Sequence, residues 1–179
     1  MRSSIDTCGA AGARHLATIE NSTSGIGWIN NGSDLVFLST TSSVLTPDHV
    51  WTVSAKGGTP QDRTPMLRGS AIQLSVDADG NAWVAVMRGV QAEIDAFKGD
   101  ALVPTYKWPD GTIDESLVAP ELASAPAVRA FTVTDPRHTS NVAIADGSTL
   151  RKITNEGDEQ LAKTVLGERQ IVHWSSPEV

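Results

Sequence analysis

The residues that could perform nucleophilic catalysis in this sequence are its serines, its four histidines and its carboxylates. A hydrolase-type serine nucleophile lies in a Gly-x-Ser-x-Gly turn, because the sharp strand-to-helix bend needs glycine on both sides. The sequence contains no such motif. Three serines follow a glycine without a second glycine at the required spacing: Ser33, Ser70 and Ser148. The sequence therefore predicts no catalytic residue in this chain.

The histidines give no metal-site pattern. They are scattered by tens of residues, whereas common metal-binding motifs place their ligands a few residues apart. We therefore predict that they lie on the surface or at strand edges, and we assign no metal-ligating or cofactor-binding residue. The four positions are His15, His49, His138 and His173.

The carboxylates offer one motif with a chemical meaning. The run Asp77-Ala78-Asp79-Gly80-Asn81 is similar to the start of a calcium-binding loop, which requires a glutamate at its twelfth position. That position is Arg88, so the run favours a hairpin turn instead. Neighbouring carboxylates are interpreted as solvated turn charges rather than acid–base pairs: Glu93 with Asp95, Asp114 with Glu115, and Asp158 with Glu159.

The clearest structural pattern runs from Ile26 to Thr64. It contains short runs of apolar residues such as Leu35–Leu38, separated by turn-forming Asn, Gly and Ser residues. This pattern predicts four short antiparallel strands, the unit of a β-propeller blade. The five tryptophans of the chain are interpreted as packing residues within such blades rather than as a ligand cage.

The blade pattern recurs twice. Gly80 lies 48 residues after Gly32, and aligning them places Trp83 on Leu35; Val142 lies 92 residues after Val50. This spacing fits the repeat of about 40–50 residues typical of propeller blades. We predict an all-β fold, a partial propeller of about three four-stranded blades. Residues 1–25 are predicted to be an N-terminal lead segment or the end of a preceding blade. The three blades are predicted at 26–64, 70–120 and 127–154, followed by an exit strand at 170–174. Within the second blade, residues 112–118 are predicted to form the closing strand.

Composition excludes several classes of function. The net charge of −7 disfavours nucleic acid as a partner. No apolar run approaches the roughly 20 residues that a membrane helix needs, and no apolar segment typical of a secretion signal follows Arg2. The single cysteine, Cys8, excludes an intramolecular disulfide. We therefore expect a soluble, cytoplasmic protein without a membrane or nucleic-acid partner.

Residues 140–179 resemble the last propeller blade of the prolyl oligopeptidase family of serine peptidases, particularly the acylaminoacyl-peptidase and dipeptidyl-peptidase type. In that family a turn and a Leu-Gly-Glu stretch precede a Trp-x-Ser-Pro strand that leads into an α/β-hydrolase domain. The matching residues appear here in the same order: Asp146-Gly147-Ser148, Ile153-Thr154-Asn155, Leu161, Leu166-Gly167-Glu168 and Trp174-Ser175-Ser176-Pro177.

The resemblance implies a non-catalytic function for this chain. The catalytic triad of the family lies in the hydrolase domain, which we expect after Val179, and the propeller restricts access to short peptides. Two alternatives remain: a stand-alone binding or scaffolding propeller of the Tol type, or a truncated remnant without function. An incomplete ring also exposes blade edges, so self-association through those edges is a further expectation.

Overall fold

The computed structural model describes residues 2–10, 12–41, 46–109, 111–113, 123–124, 128–167 and 170–174. These residues form an all-β fold with one short helix, α1, and one 3₁₀ turn at Asn30–Gly32. The strands are β1 Ser3–Gly9, β2 Gly12–Ile19, β3 Thr23–Ile29, β4 Asp34–Thr40, β5 Asp48–Ser54, β6 Gln61–Asp62, β7 Ser70–Val76, β8 Ala82–Arg88, β9 Gln91–Lys98, β10 Ala101–Tyr106, β11 Thr112–Ile113, β12 Ala123–Ser124, β13 Val128–Asp135, β14 His138–Asp146 and β15 Thr149–Lys152; α1 is Asp158–Leu161.

The strands form four antiparallel sheets. The first blade contains β3 to β6 and the second blade contains β7 to β10, each with its strands side by side in chain order. The third blade contains β13, β14 and β15, and both β11 and β12 pair with β13. The β1–β2 hairpin precedes these sheets. The predicted fold class, a partial propeller of about three antiparallel blades, is confirmed.

Strand β4 shows why these sequences form strands buried on both faces. Residues Leu35 to Leu38 are successive apolar residues, and each of them is at most 3% exposed. Because neighbouring side chains of a strand point to opposite faces, a continuous apolar run fits a sheet covered on both sides. The turn before β4 uses Asn30 and Asn31 at φ 52° and 54°, a region that Asn adopts more readily than most residues.

Apolar cores fill the spaces between successive sheets. Leu35, Phe37 and Val53 of the first blade pack against Ile5, Leu16, Ala17 and Ile19 of the hairpin. The opposite face of the first blade, with Val36, Leu38 and Val50, packs against Ala71, Leu74, Ala82, Val84 and Val86 of the second. Between the second and third blades the core contains Ala92, Ile94, Tyr106, Ile113, Phe131, Val133, Ala143 and Ala145. The blades therefore stack face to face.

Glycine allows the first strands of two blades to approach closely. A Cβ placed on Gly27 of β3 would lie 2.3 Å from the Val76 Cγ2 atom of β7. Gly25, at φ +51°, would place a Cβ 3.0 Å from the Leu74 Cβ atom. The absence of a side chain at these two positions permits the tight packing of β3 along β7.

A threonine hydroxyl plays the same part in all three blades. It accepts a hydrogen bond from a backbone N–H group of β5, β9 or β14. We call these three residues the latch threonines. The pairs are Thr64 with Val50 N at 2.9 Å, Thr112 with Ala92 N at 2.7 Å, and Thr154 with Val142 N at 2.8 Å. The predicted equivalence of Val50 and Val142 is therefore present in the structure.

The structure corrects three details of the sequence interpretation. The strand expected at 112–118 does not close the second blade, because Thr112–Ile113 pairs with β13 of the third blade; the remainder lies outside the described residues. The described strands of the second blade end with β10 at Tyr106. The exit strand predicted at 170–174 is not present in the structure. These residues are exposed, and no described strand pairs with them.

The third correction concerns the repeat alignment. Leu35 packs towards the hairpin, whereas Trp83 packs towards the third blade, so the two positions are not equivalent. The connection between β7 and β8 spans residues 77–81, one residue more than the connection 30–33 between β3 and β4. A shift of one residue moves every side chain of a strand to the opposite face.

Candidate functional site

The junction between the second and third blades contains a buried ion pair. Arg129 of β13 donates from Nη2 to the Asp77 Oδ2 atom at 3.0 Å, and both residues are nearly inaccessible to solvent. The Arg129 guanidinium also lies 3.9 Å from the ring centroid of Trp83, which is a cation–π contact. Trp83 in turn stacks on Tyr106, with 5.9 Å between the ring centroids. This cluster connects residues 52 positions apart in the sequence.

The Asp77 carboxylate is fully occupied by protein donors. Its oxygens accept hydrogen bonds from the backbone N–H groups of Asp79 and Asn81 and from the side chains of Asn81 and Trp83, in addition to Arg129. Burial raises the pKa of Asp77, but these hydrogen bonds outweigh burial and hold the pKa below its ordinary value. Residues 77–81 form the hairpin turn between β7 and β8 rather than an open cation loop.

The interpretation of Glu93 and Asp95 as solvated turn charges is wrong. Both lie within β9, and Asp95 is completely buried. Arg88 forms ion pairs with both, including a 2.5 Å contact between its Nη2 and Asp95 Oδ2. Residues 93 and 95 share a face because side chains alternate along a strand, and β8 presents Arg88 to that face. The hydrogen bond to Asp95 raises the pKa of Arg88, so the guanidinium keeps its positive charge at this position.

The other carboxylate pairs have different surroundings. Asp158 at the start of α1 accepts a hydrogen bond from Lys152 at 3.1 Å, and Glu159 forms an exposed pair with Lys163. These contacts agree with surface charges rather than acid–base catalysis. The pair Asp114 and Glu115 lies outside the described residues.

The histidines occupy four separate environments. His49 is buried, contrary to the prediction of a surface or strand-edge position, because its Nδ1 lies 2.7 Å from Asp62 Oδ2 on the adjacent strand. His138 contacts Asp135 in the β13–β14 hairpin at 2.7 Å, and His173 is exposed. Each of these two histidine–aspartate pairs joins only two ionisable side chains, so neither supplies a metal-ligand set.

The β1–β2 hairpin brings together a histidine, an aspartate and a hydroxyl, which sequence spacing alone did not reveal. His15 Nδ1 lies 3.0 Å from Asp6 Oδ1, and His15 Nε2 lies 3.1 Å from Thr18 Oγ1. The connectivity is that of a charge-relay system. However, the His15 and Asp6 side chains are 53% and 50% exposed, so water screens them. Hydrogen bonds from Ser4 and then His15 lower the pKa of Asp6. We assign this cluster no catalytic role.

A groove of about 640 Å³ separates the outer parts of the first and second blades. It combines apolar and charged residues, and Arg63 spans it through a 2.8 Å ion pair with Asp100. The side chain of Met66 at its rim is 88% exposed. Its lining also includes Leu67, Arg68, Arg88, Ala101 and Leu102. The groove offers an amphipathic surface without a nucleophile or metal-ligand set.

Two classes of site are not found in the described part of the chain. No three histidine, cysteine, aspartate or glutamate side chains there come close enough together to hold a metal ion. The described helix is too short and too polar to cross a membrane.

The fold is similar to that of known peptidases. A puromycin-hydrolyzing peptidase of Mycobacterium tuberculosis matches 81% of this chain with 14% identity and a TM-score of 0.62. The acylaminoacyl peptidase of Pyrococcus horikoshii matches 89% of it with 9% identity and a TM-score of 0.64. The chain covers only 23% and 24% of the lengths of these two proteins. The resemblance to the propeller part of prolyl oligopeptidase family peptidases is therefore confirmed at the level of the fold.

A structure of a nidogen–laminin complex also matches, over 82% of this chain and 53% of the other, with 13% identity and a TM-score of 0.52. No family model matches the sequence, and no curated protein matches it significantly. The similarity to known proteins thus lies in the arrangement of the strands rather than in the identity of the residues.

Proposed function

We propose that this chain is the non-catalytic propeller part of a serine peptidase, and that it limits which peptides reach a hydrolase domain. The observation that carries this proposal is the match of 81–89% of the chain to about a quarter of two peptidases. The similarity of residues 140–179 to the blade that leads into the hydrolase domain supports the same assignment.

The described geometry suits a passive filter. The blades are joined by continuous apolar cores and by the Asp77–Arg129 ion pair, which makes large movements between neighbouring blades costly. Strands β3 and β7 pack together at the start of adjacent blades, where propellers enclose their central channel. A rigid channel would exclude folded proteins by size and admit extended peptides.

The proposal predicts a longer protein in which a hydrolase domain accompanies this chain, and it is tested on that protein. That protein should hydrolyse a chromogenic dipeptide or aminoacyl substrate and leave a stably folded protein such as ribonuclease intact. The 179-residue chain alone should hydrolyse neither substrate. Turnover by the purified chain, abolished by a serine-directed inhibitor, would refute the assignment of a non-catalytic part.

The match to the nidogen–laminin complex favours a second candidate, a propeller that binds another protein. The amphipathic groove between the first and second blades is the described surface best suited to such contact, because it exposes Met66 beside arginines. The two candidates predict different coding sequences after residue 179. A hydrolase domain there supports the peptidase, whereas further binding modules without a nucleophile support the binding propeller.

A further inference from the structure

A polar contact beside each latch threonine recurs in all three blades. The residue before each latched N–H group binds a residue within two positions of the latch threonine. The pairs are His49 Nδ1 with Asp62 Oδ2 at 2.7 Å, Gln91 Nε2 with the Gly111 carbonyl at 3.0 Å, and Asn141 Oδ1 with the Glu156 N–H group at 2.7 Å. The second and third blades therefore use a neutral amide, whereas the first blade uses two ionisable side chains.

The His49–Asp62 contact holds the outermost strand of the first blade. That strand, β6, has only two residues, so its backbone forms few hydrogen bonds with β5. One carboxylate oxygen of Asp62 contacts His49, and the other accepts a hydrogen bond from the Thr64 N–H group at 2.9 Å. The Arg63 N–H group between them binds the Val50 carbonyl at 2.8 Å. Asp62 thus connects β5 with the segment that contains Arg63 and Thr64.

The segment held in this way forms one wall of the amphipathic groove. Asp62, Arg63 and Thr64 line the groove, and Arg63 spans it to reach Asp100 at 2.8 Å. The backbone of these three residues therefore forms the groove on the side of the first blade. A weaker contact between His49 and Asp62 would leave this wall less firmly held.

The surroundings of His49 favour a positive charge on the imidazole. The side chains of His49 and Asp62 are only 11% and 19% exposed, so water screens their interaction weakly. Burial raises the pKa of Asp48, and the charge of His49 partly opposes this increase, so a second carboxylate interacts with the imidazole. The neighbours on β4 and β7 are neutral: Ser39 pairs with His49, and Ser70 accepts a hydrogen bond from the Asp48 N–H group.

The other charged residues near this end of the blade have partners of their own. Arg63 directs its guanidinium across the groove. Arg2 and Glu20, which flank the β1–β2 hairpin, pair with each other at 3.0 Å. The connection 41–47 between β4 and β5 contains no charged residue. Within the described ranges, the imidazole is thus the one side chain that forms an ion pair with this carboxylate.

We propose that the His49–Asp62 contact is a pH-sensitive lock on the wall of the groove, firm when the imidazole is charged and loose when it is neutral. Histidine ordinarily changes charge between about pH 5 and 8, whereas a carboxylate stays ionised over that range. Loss of the imidazole charge removes the Coulomb attraction and leaves only a hydrogen bond. The segment with Arg63 and Thr64 therefore loosens as the pH rises. The lock lies within one complete blade and does not depend on the proposed peptidase function.

Hydrogen exchange of single backbone amides tests the lock, because the chain contains an internal control. The Arg63 N–H group binds the Val50 carbonyl, and the Ile153 N–H group binds the Val142 carbonyl at the same place in the third blade, both at 2.8 Å. NMR exchange rates of the full chain are corrected for the intrinsic pH dependence of exchange. The protection of the Arg63 amide should then fall by a factor of about 3–10 between about pH 5.5 and 8. The protection of the Ile153 amide should stay constant, and a parallel fall at both amides would overturn the proposal.

Two substitutions separate the lock from other histidine effects. His49→Gln gives the first blade the side chain that the second blade has at this position, and it should abolish the pH dependence of Arg63 protection. His138→Gln is the matched control, because His138 also contacts an aspartate, Asp135 at 2.7 Å, but lies in the third blade. It should leave the pH dependence at Arg63 intact. Persistence of that dependence in His49→Gln, or its loss in His138→Gln, would refute the lock. If His49→Gln does not fold, the comparison of the two amides in the unsubstituted chain decides.

Discussion

Replacing the latch threonine of the first blade provides the sharpest test of how that blade is held together. Thr64→Val keeps the shape of the side chain and removes only the hydroxyl that accepts the hydrogen bond from Val50 N–H. Val50 is fully buried and Thr64 is 7% exposed, so water cannot replace the lost acceptor. An unsatisfied buried donor costs about 1–3 kcal/mol.

For a domain of this size, that loss lowers the melting temperature by roughly 2–4 °C for each kcal/mol. Urea unfolding followed by tryptophan fluorescence, to which Trp51 beside Val50 on β5 contributes, measures the change. Thr64→Ser is the matched control, because it keeps the hydroxyl and loses one methyl group. Thr164→Val is a second control: its hydroxyl bonds an exposed carbonyl, so its loss should change stability by less than about 0.5 kcal/mol. If Thr64→Val were as stable as Thr64→Ser, the proposed role of the latch would be wrong.

Three further substitutions test the inter-blade contacts and the charges. Gly27→Ala should destabilise the fold by about 1–3 kcal/mol in thermal unfolding, because its Cβ overlaps Val76; an unchanged melting point would contradict the close approach. The folded pKa of Asp77 lies below its unfolded value, so the ionised carboxylate stabilises the fold at pH values above the unfolded pKa. This stabilisation is lost as the pH falls through the folded pKa. Asp77→Asn should therefore lower stability at pH 7 and flatten its acid dependence in urea titrations. Burial raises the folded pKa of Asp48, and the charge of His49 partly opposes this increase. Asp48→Asn should therefore increase stability at pH 7. The gain should vanish below the unfolded pKa of about 3.9. A gain that persisted in acid would exclude desolvation as its cause.

The fold class could be predicted from the sequence because the residue patterns that indicate strands and turns are local. Runs such as Leu35–Leu38, bounded by Asn and Gly turns, specify a buried strand without knowledge of its neighbours. Their recurrence at about 44–48 residues then indicates repeated blades. The strand partner of Thr112 could not be predicted in the same way. A two-residue strand pairs according to the packing of the whole sheet rather than its own composition.

The side-chain clusters depended on register, which the sequence did not reveal. Asp95 was interpreted as a solvated charge, although the pairing of β8 with β9 buries it beside Arg88. Likewise, Arg129 and Asp77 meet only because two blades stack, and no local signal relates residues so far apart. Strand existence follows from composition, whereas the identity of contacts follows from turn lengths and inter-blade packing.

The most direct test of the proposed function is the coding sequence beyond Val179. We predict an open reading frame that continues into a domain with a Gly-x-Ser-x-Gly motif, with an aspartate and then a histidine after it, in the order of the α/β-hydrolase triad. A frame that continues into further blades or binding modules without that motif, or that stops at Val179, would contradict the assignment to a peptidase.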